Sequence, residues 1–479
     1  MRQPSDSHSI PVEPARSTSK ASFAAALPAD QAPGPHGLER LRVHVRLQRD
    51  PLRALHRAVL DYGAFHRLVL GPFTFWVCHE PEAMKHVLID NAKNYIKSRN
   101  YDGLRLLLGQ GLVTSEGELW RKQRKLVAPA FTPQRVPSYV PTFVRAAEDA
   151  VAGWEQELRH AKSADVEIHH AMMALTFRIV GLTLFSQEFG TDTKRIAGAF
   201  EEAIHFADQF SMSIVRLPLG LPLPRNARFK RAMGVLDGLV DSLIQARKKR
   251  YLETGVAGED VMGTLLSSKD ETGAPMDDRQ LRDEVLTLIG AGHETTANTL
   301  AFTLYLLSLH PTIARKVYDE VETVLGDRSP TVQDLAKMEY LERVIEESMR
   351  LIPPVWGLER EAISDDVLSG YRVKKGDAVA ISTWTLHRMP QYWENPEGFD
   401  PDRFLPEAKK ARARFVYLPF GGGPRVCIGA SFAMLEAKAI LAVLLRKLRF
   451  SVKSGYSLEL ETAVTLRPKK GIPMRVSRS

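Results

Sequence analysis

"FGGGPRVCIG", residues 420–429, sets three consecutive glycines ahead of one of the two cysteines in the chain, and runs straight into "ASFAMLEAKAILAVLLRKL", a strong helix former. Cys427 is therefore expected just before a helix N-terminus, where free backbone N–H groups and the helix dipole favour a thiolate. Gly421, Gly422, Gly423 and Gly429 let the backbone approach a large planar group, and Arg425 offers a donor to an anionic substituent. A phosphate loop is a poor alternative, because the Lys-Ser or Lys-Thr ending is absent.

A single thiolate suits a haem iron better than zinc, and the rest of the composition agrees with that economy. Cys78 and Cys427 can pair at most once, which excludes both a secreted disulfide framework and a four-thiolate zinc site. Cys78 reads as a small buried hydrophobe at the end of a strand. A reducing cytoplasm is the simpler location. Lysine plus arginine is 65 against 57 acidic residues, a net charge of +8 over 479 residues, too dilute an excess for a nucleic-acid binder. Residues 1–36 carry Ser, Pro, Ala and mixed charges and read as a disordered tail with no signal peptide, leaving 37–479 as one domain. The best apolar run, "IGASFAMLEAKAILAVLL", contains Glu436 and Lys438, so no transmembrane anchor is expected.

Outward from the loop, "FHRLVLGPFTFWVCHEPEAMKHVL" reads as two short strands and then a helix from Pro81. From about 118 to 350 the patterns are helical, strands return late in the chain, and no internal repeat is present. The fold class is mainly α with small β-sheets. A long connection over 389–426 leads into the opening motif.

Asp277 to His310 reads as one buried helix of about 50 Å, with a capping box at Asp277 and Gln280 and a stop at Pro311. In its middle, "GAGHETTAN" places Glu294, Thr295, Thr296 and Asn298 in a core and spends two glycines there. Either a kinked helix carries a satisfied polar cluster, or small residues admit a flat ligand while an acid beside an alcohol relays protons. In "EYLERVIEESMRLIPP", Glu347 and Arg350 sit three apart, with Glu347 against the apolar face.

Phe420, Gly423, Arg425, Cys427 and Gly429 match the haem-binding signature of the cytochrome P-450 superfamily, the haem-thiolate monooxygenases, and the chain over about 40–475 resembles a soluble bacterial-type member. The long-helix pair Glu294 and Thr295 and the pair Glu347 and Arg350 follow in the family's order. Arg403 in "NPEGFDPDRF" resembles the third member of its Glu-Arg-Arg cluster, with Asp402 where glutamate is common. "WRKQRK" places Trp120 and Arg124 like the family pair that holds a haem propionate, and Arg360 in "LERE" looks like another such contact.

The resemblance implies haem b (iron protoporphyrin IX) lying between the long central helix and the helix after the Cys loop. Cys427 would be the axial iron ligand, a role for which the thiolates of this family are a standard example. Arg425, Trp120, Arg124, Arg360 and, more weakly, His387 would hold the propionates. Glu294 and Thr295 would deliver protons to O2, and Glu347, Arg350 and Arg403 would lock the loop. Electrons are expected from a ferredoxin or flavodoxin with its NAD(P)H reductase, docking against Arg121, Lys122 and Lys125 and against Lys409, Arg412 and Arg414. A lipophilic small-molecule substrate, a fatty acid, terpenoid or similar, is expected against residues 101–113, 206–221, Ala291, Val355, Trp356 and 463–466, which are mostly apolar. A peroxide-using haem-thiolate enzyme and a non-catalytic haem-binding sensor remain as alternatives.

Overall fold

β-branched and aromatic residues in alternation give a hairpin of β1 (Phe65–Leu70) and β2 (Phe73–Cys78), closed by Gly71 and Pro72. The computed structural model describes residues 25–479 apart from 190–192, 214, 259, 270–272 and 274. The elements that frame the site are numbered here in chain order. The hairpin joins β3 (Tyr95–Ile96), β4 (Leu358–Ala362) and β5 (Ala378–Ile381) in a five-stranded sheet of order β1-β2-β5-β4-β3. Cys78 is fully buried at the end of β2, where burial pushes its thiol pKa up to about 12.

The helical half contains α1 (Asp102–Leu108), α2 (Gly117–Val127), α3 (Val140–Glu157), α4 (Ile168–Leu184), α5 (Thr193–Met212), α6 (Pro224–Thr254), α7 (Asp278–Leu309), α8 (Glu339–Leu351) and α9 (Ala430–Lys447). A late hairpin of β6 (Leu460–Thr462) and β7 (Leu466–Pro468) leans back on them.

Helix α7 is the axis of the molecule. Its 32 residues span about 48 Å, and its apolar residues are buried on all sides against α4, α6, α8 and α9. The Asp277 carboxylate caps it by accepting the Gln280 N–H at 2.7 Å. The expected reciprocal bond from the Gln280 side chain goes instead to Glu284 at 3.0 Å, so the cap is half of a box. The two glycines of "GAGHETTAN" line the central cavity and also pack closely on α4 and α5. A Cβ on Gly292 would come within 3.0 Å of Val180, and one on Gly290 within 3.4 Å of Phe200.

The boundary expected after residue 36 lies further upstream. The Leu27 N–H donates to the Gly370 carbonyl at 2.9 Å, the Arg67 N–H to the Pro33 carbonyl at 2.8 Å, and Ala32 is buried. The rest of the expected tail, 1–24, is outside the described residues. The long connection is also less bare than expected, since it contains a 3-10 turn at Pro401–Phe404 and a short helix at Pro406–Ala411.

Candidate functional site

The Cys loop is a tight turn that only glycine permits at its crossing point. Gly423 has φ +69°, and a Cβ there would lie 1.8 Å from the Leu88 carbonyl oxygen. The Cys427 N–H donates to the Phe420 carbonyl at 2.9 Å, which closes the loop, and α9 starts three residues later at Ala430. The thiol reaches a cavity of about 1030 Å³ inside the molecule, which Phe420, Gly421 and Gly429 also line. Burial pushes the thiol pKa up, while the Gly429 N–H and the Arg124 guanidinium pull it down. The helix terminus alone therefore does not hold a thiolate; a metal cation at the sulfur would.

Ala291, Glu294 and Thr295 of α7 line the same cavity. The Thr295 hydroxyl donates to the Ala291 carbonyl at 2.9 Å, and Thr299 and Thr303 repeat that bond one and two turns on. The Glu294 carboxylate is buried and accepts from the Thr465 hydroxyl at 2.5 Å, on the turn between β6 and β7. Four residues along α7, Asn298 is bonded to His169 of α4 at 2.8 Å.

One wall of the cavity is a cluster of cations. Lys97, Arg124, Arg360 and Arg425 all line it, with Trp120. Burial, then the Arg360 and Arg425 guanidinium groups, hold the Lys97 ammonium well below the usual lysine range. Among the described residues no carboxylate is in ion-pair contact with Lys97, whose Nζ rests 4.5 Å from the Tyr101 ring centroid. Arg425 stacks on Trp120 at 4.0 Å and pairs with Glu116, and burial lowers its pKa to about 10. Its other arm, Nη1, is buried without a partner. Arg124 lies 5.8 Å from the Trp120 ring and donates to the Val426 carbonyl at 2.9 Å. Arg360 is buried and donates to its neighbour's carbonyl at 2.8 Å.

These groups fit a haem. A lone thiol opens on the cavity, the glycine backbone leaves its face clear, and a surplus of buried positive charge waits for two carboxylates. Among the described residues no cluster of three His, Cys, Asp or Glu side chains offers a competing metal site. His387 does not belong to this wall. It is fully buried, its Nε2 accepts the Leu418 N–H at 2.9 Å and its carbonyl accepts Arg350, so it braces the chain behind the loop. Lys97 and Glu116 were not foreseen from sequence; Thr465 falls in the expected 463–466 segment, but its bond to Glu294 was not foreseen.

Glu347 and Arg350 form a bidentate pair with neither side chain exposed, at 2.6 and 2.7 Å. Arg350 also donates to the carbonyls of His387, Pro396 and Gly398, Glu347 accepts the Asp400 N–H at 2.9 Å, and Arg403 stands 3.4 Å from Glu347. The cluster ties α8 to the connection that delivers the Cys loop.

Val355, Trp356 and the 463–465 turn line the cavity, as do the inward residues of 101–113, whereas the 206–221 segment contributes mainly Asp208, Gln209 and Ser211 to Ser213, more polar than expected. Arg121, Lys122 and Lys125 of α2 are exposed, as is Arg414. Several of the expected docking cations have partners within the chain: Arg121 pairs with Glu118, Lys409 pairs with Glu346 at 2.6 Å, and Arg412 packs over Trp393 and Phe404 at 4.5 and 4.6 Å.

Residues 33–474 match the family model described as Cytochrome P450. Cyclooctat-9-en-7-ol 5-monooxygenase of Streptomyces melanosporofaciens is 35% identical over 420 residues, covering 86% of this chain and 88% of its own. Protein LUTEIN DEFICIENT 5, chloroplastic, of Arabidopsis thaliana is 33% identical over 445 residues, covering 88% and 73%. The crystal structure of the cytochrome P450DA heme domain superposes with a TM-score of 0.83 at 28% identity, covering 95% of this chain and 98% of that one.

Proposed function

The chain belongs to the cytochrome P450 family and is a monooxygenase of the haem-thiolate type, and from that premise we propose that it binds haem b through Cys427 and oxidises a lipophilic small molecule. The observation that carries this reading is that Cys427, Glu294, Thr295 and the cation cluster all border one cavity. Haem bound there would supply the iron at which O2 is reduced and one oxygen atom passed to substrate. Lys97, Arg124, Arg360 and the free arm of Arg425 would hold its carboxylates, and Trp120 would pack beside them.

The chain's own residues then have separable tasks. Glu294 holds a proton-accepting carboxylate at the cavity edge, steadied by Thr465. The Thr295 hydroxyl keeps its proton on the Ala291 carbonyl until it turns to the cavity, where it passes one proton on and takes another. Leu104, Leu108, Phe200, Val355 and Trp356 exclude water above them and favour an apolar substrate, a fatty acid, terpenoid or similar. The retained acid and alcohol favour O2 with external electrons over a peroxide-using enzyme or a sensor. Arg121, Lys122, Lys125 and Arg414 form a basic face suited to an acidic ferredoxin or flavodoxin served by an NAD(P)H reductase. Both cysteines are free, which suits a reducing compartment such as the cytoplasm. Among the described residues no helix is long and apolar enough to cross a membrane.

The test is spectroscopic. The reduced, CO-treated holoprotein should give the red-shifted Soret band of thiolate ligation, and Cys427→Ser should lose it. A histidine-type spectrum in the unsubstituted protein sinks the assignment.

A further inference from the structure

Two guanidinium groups at the mouth of the cavity are not needed by the haem reading. Arg99 lines the cavity with its guanidinium stacked 3.6 Å from the Phe73 ring centroid, next to the β1–β2 turn. Among the described residues its side chain makes no hydrogen bond or ion pair. Burial and the nearby Arg216 cation depress its pKa, and the Asp102 and Glu361 carboxylates act the other way without bonding it. Arg225, in the first turn of α6, also lines the cavity, and its Nε is buried without a partner.

The segment between α5 and α6 brings both to the same opening. Arg216 donates from one arm to the carbonyls of Arg99 and Ser211, at 2.9 and 3.0 Å. Asn226, beside Arg225, donates to the Pro218 and Leu221 carbonyls at 3.2 and 3.0 Å. That this is the outer end follows from the exposure of Met212, Val215, Leu217 and Leu221 along the same segment. Arg49 adds positive charge to the cavity lining. The carboxylates near this opening are Asp102, which is held by Arg105 and Arg216, Glu361, and Asp208, whose charged neighbours are His205, Arg467 and Glu461.

A planar guanidinium held on an aromatic ring at a cavity mouth, with no hydrogen-bond acceptor of its own among the described residues, is suited to a carboxylate. A phosphate would call for a denser set of donors than one stacked fork. We propose that Arg99, seconded by Arg225, anchors the carboxylate of an amphipathic acid, a long-chain or terpenoid carboxylic acid, whose apolar body runs inward toward Thr295 and Cys427. The proposal rests on the monooxygenase reading and narrows it: oxidation then falls on carbons remote from the carboxylate.

The experiment is a titration of the ferric holoprotein with hexadecanoic acid and its methyl ester, and with a diterpenoid acid and its alcohol. Binding is followed by the haem spin shift and independently by calorimetry. At least one acid should bind roughly tenfold or more tighter than its uncharged counterpart. Arg99→Gln should abolish that ratio while leaving the Kd of the ester or alcohol within about twofold, and Arg99→Lys should restore part of it. Arg225→Gln should reduce the ratio less. Which acid binds decides between the straight-chain and terpenoid sources. Equal binding of acid and neutral counterpart, no binding of either acid, or an Arg99→Gln variant that weakens both alike overturns the anchor. A holoprotein that keeps the thiolate CO band in such a case loses the anchor alone, whereas loss of that band in the unsubstituted protein removes the reading beneath it.

Discussion

Two groups of buried charge flank the Cys loop, and they are built to opposite rules. At Glu347 and Arg350 every strong donor and acceptor has a partner: the two side chains bond each other, three carbonyls close the guanidinium and a backbone N–H closes the carboxylate. At Lys97, Arg360 and Arg425 like charges crowd together with Glu116 as their one carboxylate partner among the described residues, an ammonium held well below its usual range and a guanidinium arm left over. The first arrangement is complete without a ligand and is scaffold. The second is a debt that an anionic ligand settles, and it marks the site.

Removing one partner from the complete cluster should give the largest effect. Glu347→Ala leaves Arg350 charged and fully buried with nothing to neutralise it, which costs on the order of 3–5 kcal/mol. Urea unfolding of both haem-free and haem-loaded protein should show the loss. A stable, haem-replete Glu347→Ala protein would show that the pair is ornamental and would erase the contrast.

A second test uses a carboxylate of neither kind. Glu284 is fully buried in α7 and is met by neutral donors alone, the Leu112 N–H at 3.1 Å and the Gln280 amide at 3.0 Å. Burial raises its pKa from 4.5 to about 7. The folded state therefore binds this proton more tightly than the unfolded chain, and stability falls as pH rises from about 4.5 to about 7 and is level above. Glu284→Gln should remove that slope and gain on the order of 3 kcal/mol at pH 8. An unchanged pH profile of unfolding would place the slope elsewhere.

The incomplete cluster should respond with the opposite sign. Lys97→Met removes a half-buried cation from among like charges, so the haem-free protein should gain about 1 kcal/mol. Haem retention, measured by transfer to apomyoglobin, should nevertheless weaken several-fold. If both quantities fall together, Lys97 is scaffold, and the comparison fails on that side.

How far each region was legible in the sequence follows the same division. The Cys loop, the polar interruption of α7 and the Glu347–Arg350 pair are short runs whose chemistry is local, so their residue types and spacing already carried it. Lys97 and Glu116 were silent, and Thr465 was expected only as part of an apolar pocket segment, because each is ordinary in its own segment and acquires its role when the fold brings segments together: Glu116 joins the Lys97 N–H at 2.7 Å to Arg425, and Thr465 reaches α7 from the late hairpin. His387 misled for the converse reason. It sits near the right elements, but its ring points into the brace behind the loop. The docking cations Lys409 and Arg412 were counted by sign, and a sign does not reveal an intramolecular partner.

Thr295 belongs to neither cluster, and it carries the smallest stability effect with a large functional one. Its hydroxyl bonds its own helix at 2.9 Å, and alanine is the better helix former, so Thr295→Ala should change unfolding free energy by less than about 0.5 kcal/mol. Haem content and the CO spectrum should also be unchanged, because the residue is on α7 and belongs neither to the Cys loop nor to the cation cluster. What should change is coupling: with the relay hydroxyl gone, NAD(P)H consumption continues in the presence of a redox partner, while peroxide rises several-fold at the expense of product. The relay assignment would be falsified by an unchanged peroxide yield, because α7 would then be shaping the cavity and nothing more. A raised yield with intact stability separates the groups that hold the site from the one that moves protons in it.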